Sequence, residues 1–232
     1  MFIPIITLDG PSGVGKGTVS LQVAKHLGWH LLNSGALYRV VALESLSQGE
    51  TLDETSLARW ASMLEVKFDI QDTSEPKVLT NGREVTQALH TEECAKLASQ
   101  IAAFPLVRQV LLEKQRAFWQ TPGLVAEGRD MGTVIFPQAP LKIFLTASCE
   151  ERAYRRYKQL KEKGMEVHLS ELVKQIMERD QRDSTRTVAP LTIAKDALII
   201  DTTGMKVEDV VIKVLQKVSH QLGIRGPTNL LT

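Results

Sequence analysis

Gly10-Pro11-Ser12-Gly13-Val14-Gly15-Lys16-Gly17-Thr18 is the stretch whose reading decides the fold, and its meaning depends on its flanks. Before it, residues 2–8 form an apolar run that reads as a buried strand. After it, Lys16–Leu27 places Val19, Val23 and Leu27 on one helical face. A glycine-rich loop between a strand and a helix is the setting of a phosphate-binding P-loop. Glycines let successive N–H groups turn toward one phosphate, the helix dipole adds about half a positive charge there, and Lys16 can reach the β- and γ-phosphates. All nine residues from Gly10 to Thr18 are therefore predicted to cradle the triphosphate of a nucleotide. The sequence departs from G-x-x-x-x-G-K-[S/T] at one position: Gly17 stands where the hydroxyl residue belongs, and Thr18 follows it.

Working outward, residues 124–126, 141–145 and 197–200 are further short apolar runs, and residues 30–32 offer a fifth. Helical patterns lie between them, including Val207, Val210, Val211, Val214 and Val218 near the C-terminus. Strands alternating with helices predict an α/β fold, a doubly wound parallel sheet flanked by helices, with ligands beyond the carboxyl ends of the strands. Residues 49–91 break the rhythm. Val66 and Phe68 alternate with polar residues, and Asn81-Gly82 inside residues 78–85 supplies a type I′ hairpin turn, so a small antiparallel sheet is expected there. Helices are expected over residues 92–104 and 107–119, flanking Pro105. The division that follows is a core of residues 1–48, 92–150 and 185–223, an inserted subdomain at 49–91, a lid with its adjacent arginine-bearing helix at 151–184, and a flexible tail at 224–232.

The 232 residues are 43% hydrophobic, enough for a sizeable core. Lys and Arg number 28 against 27 Asp and Glu, so a net charge of +1 gives no general attraction for nucleic acid or membrane. Any anion site must be local. The apolar N-terminus lacks a basic flank and no segment reaches about 20 apolar residues, which argues against a signal peptide and a membrane span. Cys94 and Cys149 lack metal-ligand spacing and are too few to staple the chain, so a reducing, cytoplasmic setting is expected. None of the five histidines, His26, His30, His90, His168 and His220, has a partner at metal or catalytic spacing, and no metal ligand is predicted.

A P-loop alone names a superfamily and no reaction. Guanine-reading Asn/Thr-Lys-x-Asp is missing, because Ile193 precedes Ala194-Lys195-Asp196, and the GTPase reading weakens. Phosphoryl transfer between nucleotides gathers several negative charges, and arginine suits them because its planar fork binds phosphate at two points. Arginines cluster where strands end, in Asn33 to Arg39 and in Glu127 to Thr133, with a third cluster from Glu178 to Arg186. If that third stretch is helical throughout, Arg179, Asp183 and Arg186 share a face at i, i+4, i+7.

On these residues the chain resembles the bacterial cytidylate kinases. The matching segments are the P-loop, Ser34-Gly35-Ala36-Leu37-Tyr38-Arg39, Ala98-Ser99-Gln100 through Arg108, Gly128-Arg129-Asp130-Met131-Gly132-Thr133, and Arg179 through Arg186 with Ala189-Pro190-Leu191. The resemblance implies a fold similar to adenylate kinase with an enlarged monophosphate-binding region, ATP with its Mg²⁺ as donor, and CMP or dCMP as acceptor. It further implies that Arg39 and Arg129 hold the CMP phosphate, that Arg108, Asp130 and Ser34 lie near cytosine, and that Ser99, Arg179 and Asp183 lie near the pentose. Arg186 would bridge the reacting phosphates, with Lys16, Arg129 and Arg179 completing the catalytic set. A monomer is expected, and the basic run Arg152, Arg155, Arg156, Lys158, Lys161 and Lys163 before Gly164 is expected to form the lid. Rival readings are a kinase for AMP, UMP or shikimate, and a regulatory protein that uses ATP only as a switch.

Overall fold

The computed structural model describes residues 2–49, 53–71, 73–162 and 164–224. The apolar runs become five parallel strands, β1 (Ile5–Asp9), β2 (His30–Asn33), β6 (Leu124–Gly128), β7 (Leu141–Thr146) and β8 (Leu198–Asp201), in the order β2-β6-β1-β7-β8. The strand before the P-loop is therefore central, and β1 pairs with β6 from Ile5↔Leu124 to Asp9↔Gly128. Its side chains alternate between two cores, as strand geometry requires. Ile5 packs into one with helices α2 (Ser34–Gln48), α4 (Glu92–Ile101) and α5 (Pro105–Arg116). Ile6 and Leu8 pack into the other, against α1 (Lys16–Leu27) and α8 (Val207–Leu222). Helices α6 (Cys149–Glu162) and α7 (Leu169–Thr185) share a smaller apolar seam through Ala153, Leu160, Leu172 and Ile176.

Helix ends follow local chemistry. Asn33 caps α2 by accepting from the Ala36 N–H at 3.0 Å, and Thr91 caps α4 by accepting from Cys94 N–H at 3.3 Å. The inserted sheet is three antiparallel strands, β3 (Val66–Asp69), β4 (Lys77–Thr80) and β5 (Arg83–Glu84), and its turn has the two positive φ values expected, 48° at Asn81 and 78° at Gly82. The insertion also contains α3 (Glu54–Met63), capped by Asp53, which the sequence reading did not find.

Four boundaries are corrected. The first strand runs from Ile5 to Asp9 and so reaches one residue nearer the P-loop than residues 2–8. The helix expected over 92–104 stops at Ile101, and its successor begins at Pro105, because proline's fixed φ and missing N–H suit a first helical position. Arg186 lies just outside α7 with φ −60° and ψ 141°, so it is not a third member of a helical face. Lys163, residues 50–52 of the insertion and residues 225–232 of the tail lie outside the described residues.

Candidate active site

The loop of residues 10–15 sits at the carboxyl end of the central strand. Gly10 has φ 146°, and a Cβ there would come within 2.1 Å of the Leu145 carbonyl oxygen on β7, so no side chain fits. Lys16 opens α1 buried, with its ammonium donating to Pro11 O at 2.6 Å. Burial pushes its pKa well below the usual lysine value; Arg129 and Arg179 push it further down, against Glu127 and Asp9. Glu127, near the end of β6, is likewise buried, and burial raises its pKa against the pull of Lys16, Arg129 and Arg39.

A cavity of about 790 Å³ opens beside this loop, within the size range of small-ligand sites. Ser12, Gly13, Gly15, Lys16, Gly17 and Thr18 line it, while Gly10, Pro11 and Val14 do not. Arg39 from α2, Arg129 following β6, and Arg179 from α7 form the facing walls. Three of the predicted groups for phosphate thus meet the P-loop across one space. Asp183, one turn beyond Arg179, accepts from Arg129 Nε at 2.8 Å. Burial pulls the Asp183 carboxyl up, but the Arg129 charge and hydrogen bond outweigh it and leave its pKa below the ordinary value. Burial and then Arg129 lower Arg179 to about 10. Among the described residues Arg179 Nε, Arg186 Nη2 and Ser12 Oγ are buried without a hydrogen-bond partner. Unpaired buried guanidinium N–H groups are costly, and an anion is what would satisfy them.

The remaining predicted residues form a layer next to that cavity and off its wall. Arg108 and Asp130 are paired with each other and almost fully buried. Arg186 Nη2 lies 4.0 Å from the other Asp130 oxygen, and its Nε donates to Ala189 O at 2.6 Å. Although Arg186 leaves the helix, the turn at its C-cap still brings it to Asp130. Tyr38 is buried, and burial raises its hydroxyl to about 12; the Arg108 guanidinium lies 5.8 Å from its ring centre. Ser34 donates to Gln115 Oε1 at 2.6 Å inside the protein, and Ser99 Oγ is buried without a partner. A separate hollow of about 950 Å³, walled by Trp29, Leu31, Phe68 and Phe118, holds none of the predicted site residues.

A family model described as cytidylate kinase matches residues 6–220. The chain belongs to the cytidylate kinase family. The match spans the P-loop, the insertion and every arginine named above. The cytidylate kinase of Aeromonas salmonicida (strain A449) is 53% identical over 221 residues, covering 95% of this chain and 96% of that relative. The cytidylate kinase of Shewanella loihica (strain ATCC BAA-1088 / PV-4) is 51% identical over 220 residues, covering 94% and 96%. No helix among the described residues is long and apolar enough to cross a membrane.

Against this family background the expected lid divides in two. Arg152 is buried, donates to Ser12 O and Ala147 O, and pairs with Asp180 at 2.7 Å. Arg155 donates to Val14 O at 3.4 Å and to Thr202 Oγ1 at 3.1 Å. Both arginines brace the P-loop through its Ser12 and Val14 carbonyls. Among the described residues of the run Arg156 alone lines the cavity, while Lys158 and Lys161 sit over the rings of Tyr154 and Tyr157. Arg182, Lys96 and Glu127 also line the cavity and were missed as site residues. Glu127 could have been found, since a carboxylate at the carboxyl end of a strand beside β1 stands where such sheets bind ligands.

Proposed function

We propose that this chain transfers the γ-phosphate of ATP to CMP or dCMP, giving ADP and CDP or dCDP. The observation that carries the reading is the meeting of the P-loop with Arg39, Arg129 and Arg179 across one cavity, in a chain whose formal charge is almost balanced. That charge placement supports a donor triphosphate on the P-loop and Lys16, and an acceptor phosphate against Arg39 and Arg129. Arg179 and Arg186, whose Nε and Nη2 respectively make no hydrogen bond, would stabilise charge that develops between the two nucleotides. The acceptor phosphate is already ionised, so its oxygen attacks in line without a general base. Arg108, Asp130 and Ser34 form the cytosine-reading group in this scheme: carboxylate accepts from the exocyclic amine, and guanidinium donates to the carbonyl and ring nitrogen. Ser99 and Asp183 then stand toward the pentose.

Among the described residues no cluster of three or more His, Cys, Asp or Glu side chains is arranged to hold a metal ion. Of the oxygen-bearing residues that line the cavity, Thr18 and Glu127 belong to or adjoin the P-loop end, and they would suit Mg²⁺ carried in on the triphosphate with its water shell. Bound there, the ion supplies neutralisation of phosphate charge. The free thiols of Cys94 and Cys149 fit the cytoplasmic setting, and a monomer remains the reading for oligomeric state.

The test is ADP release with Mg·ATP across CMP, dCMP, UMP, AMP and shikimate. CMP or dCMP should lead by at least tenfold over UMP, the cost of about one unpaired buried polar group. Equal rates with and without any acceptor would point to a nucleotide switch, and a lead by AMP or shikimate would overturn the cytidine assignment.

A further inference from the structure

Asp9 occupies a place that the proposed chemistry leaves unexplained. It is the last residue of β1, immediately before the P-loop, and only 5% of it is exposed. It is not among the residues that line the cavity. Its two oxygens are instead divided between successive backbone amides: Met131 N–H donates to Oδ1 at 2.9 Å and Gly132 N–H to Oδ2 at 2.8 Å. Those amides open the turn Met131–Ile135, which directly follows Arg129 and Asp130. The carbonyl of Asp130 closes the same turn by accepting from Val134 and Ile135.

We infer that Asp9 is a positioning residue that ties the donor loop to the acceptor-reading residues, by clamping the backbone just beyond Arg129 and Asp130 onto the strand that carries the P-loop. The inference rests on the CMP reading proposed above. Three details support a clamp over a chance contact. Among the described residues no cation hydrogen-bonds to Asp9, so its bonding is directed wholly at these two amides. A Cβ at Gly132 would come within 2.9 Å of Thr7 Oγ1, so the turn lies against β1 with no slack on that side. The strand position of Asp9 fixes it as well, because β1 is paired on both edges, to Gly128 and to Phe144.

Geometry explains why a carboxylate is needed. Two N–H donors require two acceptor oxygens; an asparagine offers one oxygen and one NH2, so one amide faces another donor. An angstrom of displacement in a reacting group is enough to cost about a hundredfold in rate. The acceptor side hangs from this bond pair, while the groups proposed to hold the triphosphate, the P-loop amides and Lys16, make no hydrogen bond to the Asp9 side chain.

The experiment compares wild type with Asp9→Asn. Wild type is first assayed for CMP over UMP preference; if it shows none, the CMP reading fails and the clamp is judged on CMP KM and ATP affinity alone. Asp9→Asn should raise KM for CMP at least tenfold and lower the CMP over UMP ratio, with the dissociation constant for ATP alone changed less than twofold. In an Asp130→Ala background, Asp9→Asn should lower the CMP over UMP ratio no further. Should Asp9→Asn fail to fold, Asp9→Glu keeps both oxygens, and its longer reach should give the same split between CMP and ATP. Equal weakening of ATP and CMP, or unchanged kinetics in a folded variant, overturns the inference.

Discussion

Consider removing Arg108 or Asp130, one at a time and together. Their side chains are 7% and 4% exposed, so each neutralises a charge that water cannot reach. Deleting one partner of a buried pair costs about 3–5 kcal/mol because the other is stranded. The surroundings rank the two single variants. Arg108→Ala leaves Asp130 with Arg186 at 4.0 Å, which offsets part of the loss, so about 3 kcal/mol is expected. Asp130→Ala leaves the Arg108 and Arg186 guanidiniums both buried without their shared carboxylate, and about 5 kcal/mol is expected. For a chain of this size each kcal/mol lowers Tm by about 2–4 °C, giving drops of about 6–12 °C and 10–20 °C. The double variant strands Arg186 alone, so its cost should fall short of the summed single costs by about 2–3 kcal/mol. Thermal and urea unfolding without nucleotide measure all three. Single costs that add within about 0.5 kcal/mol would refute the pairing argument. The same proteins, assayed below their unfolding range, test base reading: Asp130→Ala should reduce CMP over UMP preference by about tenfold or more. Equal loss toward both acceptors would remove Asp130 from the cytosine site.

Two further outcomes are expected. Lys16→Ala should abolish phosphoryl transfer while the protein stays folded, since its ammonium makes one hydrogen bond, to Pro11 O, and its removal takes a buried charge away from Arg129 and Arg179; retained turnover would show that the triphosphate is held elsewhere. Asp9 supplies the pH dependence: burial raises its carboxyl from 3.8 to about 6, against the two amide bonds, with Asp130 raising it further and Lys16 lowering it. A raised folded pKa favours the protonated folded state, so this contribution is complete below about pH 4 and lost as pH rises through 6. The stability of Asp9→Asn relative to wild type should therefore climb by about 3 kcal/mol between pH 4 and pH 8, at about 1.4 kcal/mol per pKa unit. A difference that stays flat across that range would mean Asp9 keeps its ordinary pKa.

What the sequence disclosed, and what it hid, follow from the range of the interactions involved. Strands, the Asn81-Gly82 hairpin and the P-loop are local: periodicity, φ preference and loop chemistry lie within about ten residues, and each emerged within a few residues of its expected place. The helix α3 was missed because Leu57 and Ala61 are its only fully buried residues, too sparse a stripe to separate from a polar loop. Arg39, Arg129 and Arg179 could be picked out as candidate phosphate ligands because the P-loop demanded cations nearby, and all three line its cavity. Their partners were not legible. Nothing in the spacing of Arg129 and Asp183, 54 residues apart, announces a 2.8 Å bond, and the basic run of α6 reads identically whether it covers a ligand or, as Arg152 and Arg155 do, braces the loop through its carbonyls.

The arrangement of charge also says why this site is built at a cost to the folded state. Lys16, Arg129, Arg179 and Arg39 crowd one cavity, and burial with mutual repulsion lowers the pKa of Lys16, Arg39 and Arg179. Asp183 and Glu127 offset part of that repulsion, and Asp9 stays ionised at neutral pH against its own burial. A protein selected for stability alone would replace such groups with apolar ones. In the proposed reading each cation left under-neutralised in the free protein is one that two phosphate tails would neutralise, so this unfavourable energy would become binding energy directed at the phosphates. It follows that the site arginines should act oppositely on the two quantities: Arg179→Ala should leave the nucleotide-free protein at least as stable as wild type, while removing most of the turnover.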